Sequence, residues 1–361
     1  MSGNAALTPS QIAGKLPVTV ITGFLGSGKS TLVKRLLARP EMNRVAVIVN
    51  EFGEVGIDNE LIAEVSENMT LLSNGCLCCT VRTDLEETLR ELFIKRRAGE
   101  IIDFTRVVIE TSGMADPTPV VHTLLTDGMV FARYRLDGVV TLIDAVNGPG
   151  QLAEFPEAGK QVALADRLII TKTDLVTPEQ ARALREELAQ ANPYAAIHTA
   201  IQGEIDPALL LDVIPARPRE SQIASWLFGK ATTPEAGGDG AQAGAGYLGN
   251  RVRAEHTLNV SSFVLTFDTP FTWEAFAAVT QLLTSMRGTD LLRVKGLVNI
   301  AGEPGPVVVQ GAQHLFHPPV TLDAWPGQER RSRLVFITRN IPRAAVEGLF
   351  SAAAGLAARD A

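Results

Sequence analysis

Between residues 16 and 200 the chain alternates short, nearly continuous apolar runs with longer segments whose apolar positions recur every three to four residues. The runs are LPVTVITG (16–23), RVAVIVN (44–50), MTLLSN (69–74), FTRVVIE (104–110), LDGVVTLID (136–144), DRLIITK (166–172) and AAIHTA (195–200). Helical periodicity occupies 29 to about 39, a stretch near 81–97, and 178 to about 191. Strands without polar alternation are strands covered on both faces, and helices between them serve as crossovers. The pattern therefore predicts an α/β fold, a doubly wound and mostly parallel sheet, over residues 1–215.

From about residue 217 the texture changes. The stretch TTPEAGGDGAQAGAGYLGN (232–250) holds almost nothing able to enter a core, so 216–256 is expected to be a flexible Gly/Ala-rich linker. Beyond it SSFVLTFD, LLRVKGLVNI, GPVVVQGAQHLFH and RLVFITR follow as strands, with an amphipathic WEAFAAVTQLLTSM and a final helix from about residue 342. This predicts a second, smaller α+β domain over 257–361.

Composition adds limits. A hydrophobic fraction of 46% over 361 residues suffices for two cores. Net charge of −7, with 33 Lys and Arg against 40 Asp and Glu and no basic cluster, argues against nucleic acid or an anionic membrane as partner. No run of 18 or more apolar residues spans a bilayer and MSGNAALTPSQIAGK lacks a secretory pattern, so a cytoplasmic location is expected. All three cysteines lie in SNGCLCCTVR (73–82), a concentration that points to metal binding or redox chemistry rather than a disulfide framework.

Gly23, Gly26, Gly28, Lys29 and Ser30 fit G-x-x-x-x-G-K-[ST] between a predicted strand and a predicted helix. In a phosphate loop of this kind the backbone amides around Ser27 cradle phosphate, Lys29 adds positive charge at the β/γ oxygens, and Ser30, followed by Thr31, offers a hydroxyl to Mg²⁺. Magnesium also needs a carboxylate at the end of another strand, and Glu110 stands there. Gly113, in Glu110-Thr111-Ser112-Gly113, is placed to offer its N–H to a γ-phosphate.

Thr171-Lys172-Thr173-Asp174 addresses the base. One carboxylate on Asp174 accepts from both N1–H and the exocyclic amine of guanine, a donor pair that adenine lacks, while the Lys172 stem can cover the purine face. GTPases usually carry Asn where Thr171 stands. Ras-like enzymes orient water with a Gln after the switch glycine; Met114 occupies that place, and slow intrinsic turnover follows.

Three thiols at Cys76, Cys78 and Cys79 are soft ligands for Zn²⁺, Cu(I), Co²⁺ or Fe, and three ligands leave a tetrahedral position open, as suits a transferable ion. Convergence of the adjacent Cys78 and Cys79 requires a turn, which Asn74-Gly75 favours. A thiol redox sensor is the alternative, and a P-loop small-molecule kinase is a further rival that Asp174 disfavours.

TGFLGSGKST (22–31), NEFGEVGID (50–58), GCLCC (75–79), ETSG (110–113) and TKTD (171–174) together resemble the CobW-type metallochaperone GTPases, relatives of the HypB and UreG nickel-delivery GTPases, and the segment from about 257 is similar to the CobW C-terminal domain. The resemblance implies a GTP/GDP-binding P-loop, a divalent metal on Cys76, Cys78 and Cys79, and a switch at 50–58 linking the two. It also implies delivery of Zn²⁺, or in some members Co²⁺ or Fe, to a client apo-metalloenzyme, and homodimers. Glu51 and Glu54 stand as switch or Mg²⁺-side residues, with metal ligation and plain solvation as alternatives. Both the switch and the cysteine loop, leaving the ends of 44–50 and 69–74, are expected on the nucleotide side of the sheet. Many relatives carry a histidine-rich tract between domains; residues 229–254 here contain no histidine and the whole chain has five, which argues against a metal-storage role. His122 is considered as a fourth ligand against a plain helix histidine, and His314 and His317 as strand-end residues.

Overall fold

The computed structural model of the chain describes residues 14–50, 62–66, 69–72, 77–80, 85–211, 213, 260–316, 318–325 and 328–357. The proposed linker, residues 51–58 of the switch with Glu51 and Glu54, Cys76 and His317 lie outside these residues.

The first domain is built on a nine-stranded sheet. Its strands are β1 (Leu16–Gly23), β2 (Val45–Asn50), β3 (Ile62–Ser66), β4 (Met69–Leu72), β5 (Leu77–Thr80), β6 (Arg106–Thr111), β7 (Tyr134–Asp144), β8 (Arg167–Thr171) and β9 (Ala196–Ala200), in spatial order β3-β4-β5-β2-β6-β1-β7-β8-β9. All pairs from β5 to β9 are parallel. Val18, Val20, Ile21, Val139, Val140, Leu168 and Ile169 are shut from solvent, which is why these strands carry no polar alternation.

The helices are α1 (Lys29–Leu37), α2 (Leu85–Ala98), α3 (Thr118–Thr126), α4 (Gly128–Arg133), α5 (Gly148–Glu154), α6 (Pro156–Leu164) and α7 (Pro178–Ala191). One apolar cluster joins Leu32, Val33 and Leu36 of α1 to Ile21, Val47 and Val108; another joins Leu89 and Leu92 of α2 and Val121 of α3 to Val18, Ile48 and Val107. The helix α7 spans the predicted 178–191, because Pro178 occupies its first turn and Thr177 and Gln180 close a capping box.

At one edge the structure corrects the sequence-based expectation. The 69–74 run does not carry the cysteines off its carboxyl end at the nucleotide pole. Its residues 69–72 form β4, antiparallel to a further strand, β5, which contains Cys78 and Cys79. Two strand runs flanking an Asn-Gly pair are a hairpin pattern, and only the second strand of that hairpin can run parallel to β2. Leu77 lies level with Ala46, Cys78 with Val47 and Cys79 with Ile48, so β5 starts towards the amino ends of the parallel strands. Cys78 and Cys79 are thus consecutive positions of a strand and not of a turn.

The second domain contains an antiparallel sheet of order β10-β15-β11-β12-β13, with β14 beside β12. Its strands are β10 (Val260–Phe267), β11 (Leu291–Val298), β12 (Val307–Ala312), β13 (Leu315–Phe316), β14 (Val320–Thr321) and β15 (Ser332–Arg339). Helices α8 (Trp273–Arg287) and α9 (Arg343–Ala357) complete it, with Phe350 of α9 against Phe267, Phe271, Phe276 and Phe336. Where the domains meet, Ala163 packs with Leu292 and Ile337. The carboxylate of Asp166 is buried there between Arg293 (2.7 Å) and Lys295 (2.5 Å).

Candidate nucleotide and metal site

The loop after β1 has the conformation a phosphate cradle needs. Gly23, Gly26 and Gly28 have φ of 146°, 74° and 92°, values that a side chain strains. A Cβ on Gly23 would fall 2.4 Å from the Leu142 carbonyl oxygen, so this turn admits glycine alone. Gly28 caps α1, leaving the first amides of that helix for an anion. Lys29 is buried and donates to the carbonyls of Gly23 (2.9 Å) and Phe24 (3.2 Å), folding its ammonium over the loop. Ser27 is fully buried and its hydroxyl has no hydrogen-bond partner, whereas Thr31 points to solvent.

Across the sheet the Ser30 hydroxyl donates to Glu110 Oε1 at 2.8 Å. Glu110 is buried near the end of β6, next to β1 in the sheet, so a hydroxyl from the first turn of α1 and a carboxylate from a neighbouring strand meet beside the loop. Two hard oxygen donors adjacent to a phosphate cradle fit Mg²⁺. Gly113 follows closely. A Cβ there would lie 2.8 Å from the Leu25 amide nitrogen, which places its backbone directly against the phosphate loop. Met114 beyond it is 53% exposed.

The base side is tied to the same loop. Thr171, buried at the end of β8, donates to the Ser27 carbonyl at 2.8 Å, so the residue standing for the usual Asn bridges the base strand to the cradle. Lys172 takes a left-handed conformation (φ 57°) and donates to Asp144 Oδ2 at 2.7 Å. Burial opposes the charge of Asp144, but hydrogen bonds from Lys172, from the Asn147 side chain and from the amides of Val146 and Asn147 outweigh it and hold its pKa below the ordinary carboxylate value. The Lys172 stem is fixed by this contact at its tip, and the exposed Asp174 follows in a short 3₁₀ turn.

The structure brings Gly23, Gly26, Ser27, Gly28, Lys29, Ser30, Glu110, Gly113 and Thr171 together. Cys78 and Cys79 lie lower in the sheet, and no group of three His, Cys, Asp or Glu able to hold a metal is found among the described residues. His122 is exposed on α3, with Nδ1 3.1 Å from the Thr126 hydroxyl. Its ring stands 6.1 Å from that of His314, which lies in the turn between β12 and β13 and not at a strand end of its own. Two residues escaped the sequence reading, Asp144 and Gln161. The latter is a buried α6 residue whose Nε2 donates to the carbonyls of Gly113 (3.2 Å) and Ala115 (3.0 Å). Its signal was a lone amide inside the apolar run QVALA.

A glycine-lined cradle at a helix start, with a lysine and a Ser–carboxylate pair beside it on a parallel sheet, defines a P-loop nucleotide-binding protein. Residues 17–199 match the family described as CobW/HypB/UreG, nucleotide-binding domain, and residues 260–354 match the cobalamin synthesis protein cobW C-terminal domain. The chain belongs to the CobW/HypB/UreG family. It is 34% identical to the zinc chaperone YjiA of Escherichia coli over 93% of this chain and 98% of that protein. It is 31% identical to the zinc chaperone CobW of Pseudomonas aeruginosa, over 94% and 91%. The crystal structure of Zn(II)-bound YjiA GTPase from E. coli superposes with a TM-score of 0.71 at 34% identity, covering 94% of this chain and 99% of that one.

Proposed function

We propose that this chain, a GTPase, is a metallochaperone that carries a divalent metal, zinc first, and passes it to a client metalloenzyme in a step governed by its nucleotide. The observation that carries the nucleotide half is the Ser30–Glu110 contact beside a preformed phosphate loop. The relatives named as zinc chaperones support the metal half.

In this reading the amides of 26–30 hold the phosphates, and Lys29 leaves the Gly23 and Phe24 carbonyls to meet the β/γ oxygens. Ser30 and Glu110 would hold Mg²⁺, which would supply positive charge to offset that of the phosphates. Gly113 turns its N–H to the γ-phosphate, and Asp174 reads guanine. Met114 offers no amide or carboxylate to orient water, so turnover alone is slow and a client or a second copy accelerates it. The cargo metal is carried on Cys76, Cys78 and Cys79, with Co²⁺ or Fe as alternatives to Zn²⁺; because consecutive strand positions face opposite sides, loading all three thiols on one ion requires β5 to give up its extended form at Cys78–Cys79. Cys78 and Cys79 belong to β5, the parallel neighbour of β2, and the 50–58 switch follows β2; a nucleotide-driven change in that segment is therefore felt one strand away.

The test is titration of Co²⁺ and Zn²⁺ into reduced protein with GTP·Mg²⁺, with GDP·Mg²⁺ and without nucleotide, following the Co²⁺–thiolate charge-transfer band. Tight binding that changes between GTP and GDP and disappears in the Cys76→Ser, Cys78→Ser, Cys79→Ser triple variant is expected. A metal site indifferent to the nucleotide overturns the chaperone mechanism.

A further inference from the structure

Gln161 is the residue that grips the Glu110–Asp116 segment from behind. Its side chain is 1% exposed, and its one NH₂ group donates both hydrogens, to the carbonyl of Gly113 at 3.2 Å and to that of Ala115 at 3.0 Å. These two carbonyls belong to the Gly113–Met114 and Ala115–Asp116 peptides, so the amide fixes one plane just before the exposed Met114 and one just beyond Ala115. The grip is itself rigid. The Gln161 carbonyl accepts from the Thr141 hydroxyl of β7 at 2.9 Å. Asn192, just past α7, donates from Nδ2 to the carbonyls of Val162 (2.8 Å) and Ala165 (2.9 Å), locking the end of α6. The neighbouring Lys160 reaches Asp116 at 3.5 Å, and Asp116 in turn accepts from the Thr118 amide at 2.9 Å where α3 begins.

Held by its carbonyl from one side, Gly113 has the Leu25 backbone of the phosphate loop on the other. We propose that Gln161 is a positioning residue for GTP hydrolysis: by clamping the Gly113 and Ala115 carbonyls it presets the Gly113 N–H for the γ-phosphate. It differs from the water-orienting glutamine of Ras-like enzymes in acting through the backbone, since a buried side chain bonded to two carbonyls touches neither water nor nucleotide. The inference rests on the reading that the Gly113 N–H meets the γ-phosphate, and it predicts that the device senses the third phosphate only.

The experiment compares wild type, Gln161→Met, which keeps length and loses both donors, and Gln161→Asn, which keeps the amide one methylene short. In wild type, the Gly113 amide resonance is followed on adding GDP·Mg²⁺ and then a non-hydrolysable GTP analogue. GDP and GTP-analogue affinities and kcat are then measured for all three proteins. Expected are a Gly113 shift with the analogue alone, GDP affinity in Gln161→Met within about twofold of wild type, and a GTP-to-GDP affinity ratio and kcat each lower by about tenfold, the scale of one or two lost hydrogen bonds. Gln161→Asn shows the same selective loss and carries the comparison if the methionine variant does not fold. A wild-type shift with an unaltered ratio in the variants overturns the positioning role while the Gly113 reading stands. Absence of the shift in wild type removes that reading and the proposal with it. Equal weakening of GDP and GTP marks a packing role and also overturns it.

Discussion

Replacing Asp166 by Asn is the most exacting test of how the two domains are joined. Asp166 is fully buried, and its carboxylate meets Arg293 at 2.7 Å, Lys295 at 2.5 Å and the Val139 amide at 2.9 Å. Arg293 and Lys295 are each 2% exposed and come from β11 of the second domain. Asn has the same shape, so no cavity opens; what is lost is the anion that faces two buried cations. Removing one side of a buried ion pair costs about 3–5 kcal/mol, and because two buried cations lose the same carboxylate this variant falls at the upper end of that range. For domains of this size about 1 kcal/mol moves Tm by roughly 2–4 °C, so a fall of roughly 10–20 °C is expected by calorimetry. Because the lost contacts cross the seam, amides of β11 and of the end of α6 should lose hydrogen-exchange protection before those of β1 and β6.

The pH dependence has a definite sign. Burial opposes the charge of Asp166, but Arg293 and Lys295, together with the Lys295 and Val139 hydrogen bonds, overcome it and hold its pKa well below the usual carboxylate range. A depressed folded pKa stabilises fully above the unfolded value of about 3.9 and loses its contribution as pH falls below that. Wild type should therefore lose seam stability progressively below about pH 4, and Asp166→Asn should lack this component of the acid transition. Replacing Asp166, Arg293 and Lys295 together by Leu, Met and Met should be far milder than Asp166→Asn, because no charge stays buried. A single substitution that lowers stability by less than about 1 kcal/mol would refute the reasoning and show that water reaches the seam.

Two predictions concern the nucleotide. Asp174→Asn should weaken GTP by at least about tenfold, since charged hydrogen bonds are worth about 1.5–3 kcal/mol each, and should raise XTP affinity, because xanthine carries an oxygen where guanine carries the amine; competition binding with both nucleotides reads this, and undiminished GTP preference would remove Asp174 from the base site. Thr171→Val keeps shape and burial but deletes the hydroxyl that donates to the Ser27 and Ile143 carbonyls. GDP affinity should fall about tenfold, matching about 1–3 kcal/mol for carbonyls left without a donor, and calorimetric titration showing no change would mean the bridge from β8 to the cradle is dispensable.

Local signals were enough where chemistry and backbone coincide. The glycines at 23, 26 and 28 were legible as a phosphate loop from their spacing before Lys29 and Ser30, between an apolar strand and a helical period; all three take positive φ, and at Gly23 the Leu142 carbonyl 2.4 Å from a Cβ also excludes any side chain. The β1, β6, β7 and β8 runs and the capped α7 announced themselves for the same reason: burial on both faces, or a Pro-led capping box, is written into adjacent residues. Asp144 and Gln161 stayed hidden because each acts on a segment distant in the chain. Gln161 lies 48 residues from Gly113 and Asp144 lies 28 from Lys172, and no periodicity encodes such pairings.

The cysteine strand shows the same boundary most sharply. The sequence alone determined that three thiols cluster around residue 76, that a GTP-type cradle precedes them, and that two domains follow one another. Strand pairing, which chooses among registers and neighbours by long-range burial, decided that Cys78 and Cys79 enter β5 beside β2. Tertiary packing likewise decided that Glu110 meets Ser30, that Gln161 grips the Gly113 segment, and that Asp166 is neutralised by a domain more than a hundred residues later. Those contacts exist because a buried donor, acceptor or charge must find a partner wherever the fold brings one, and only the folded chain says where that is.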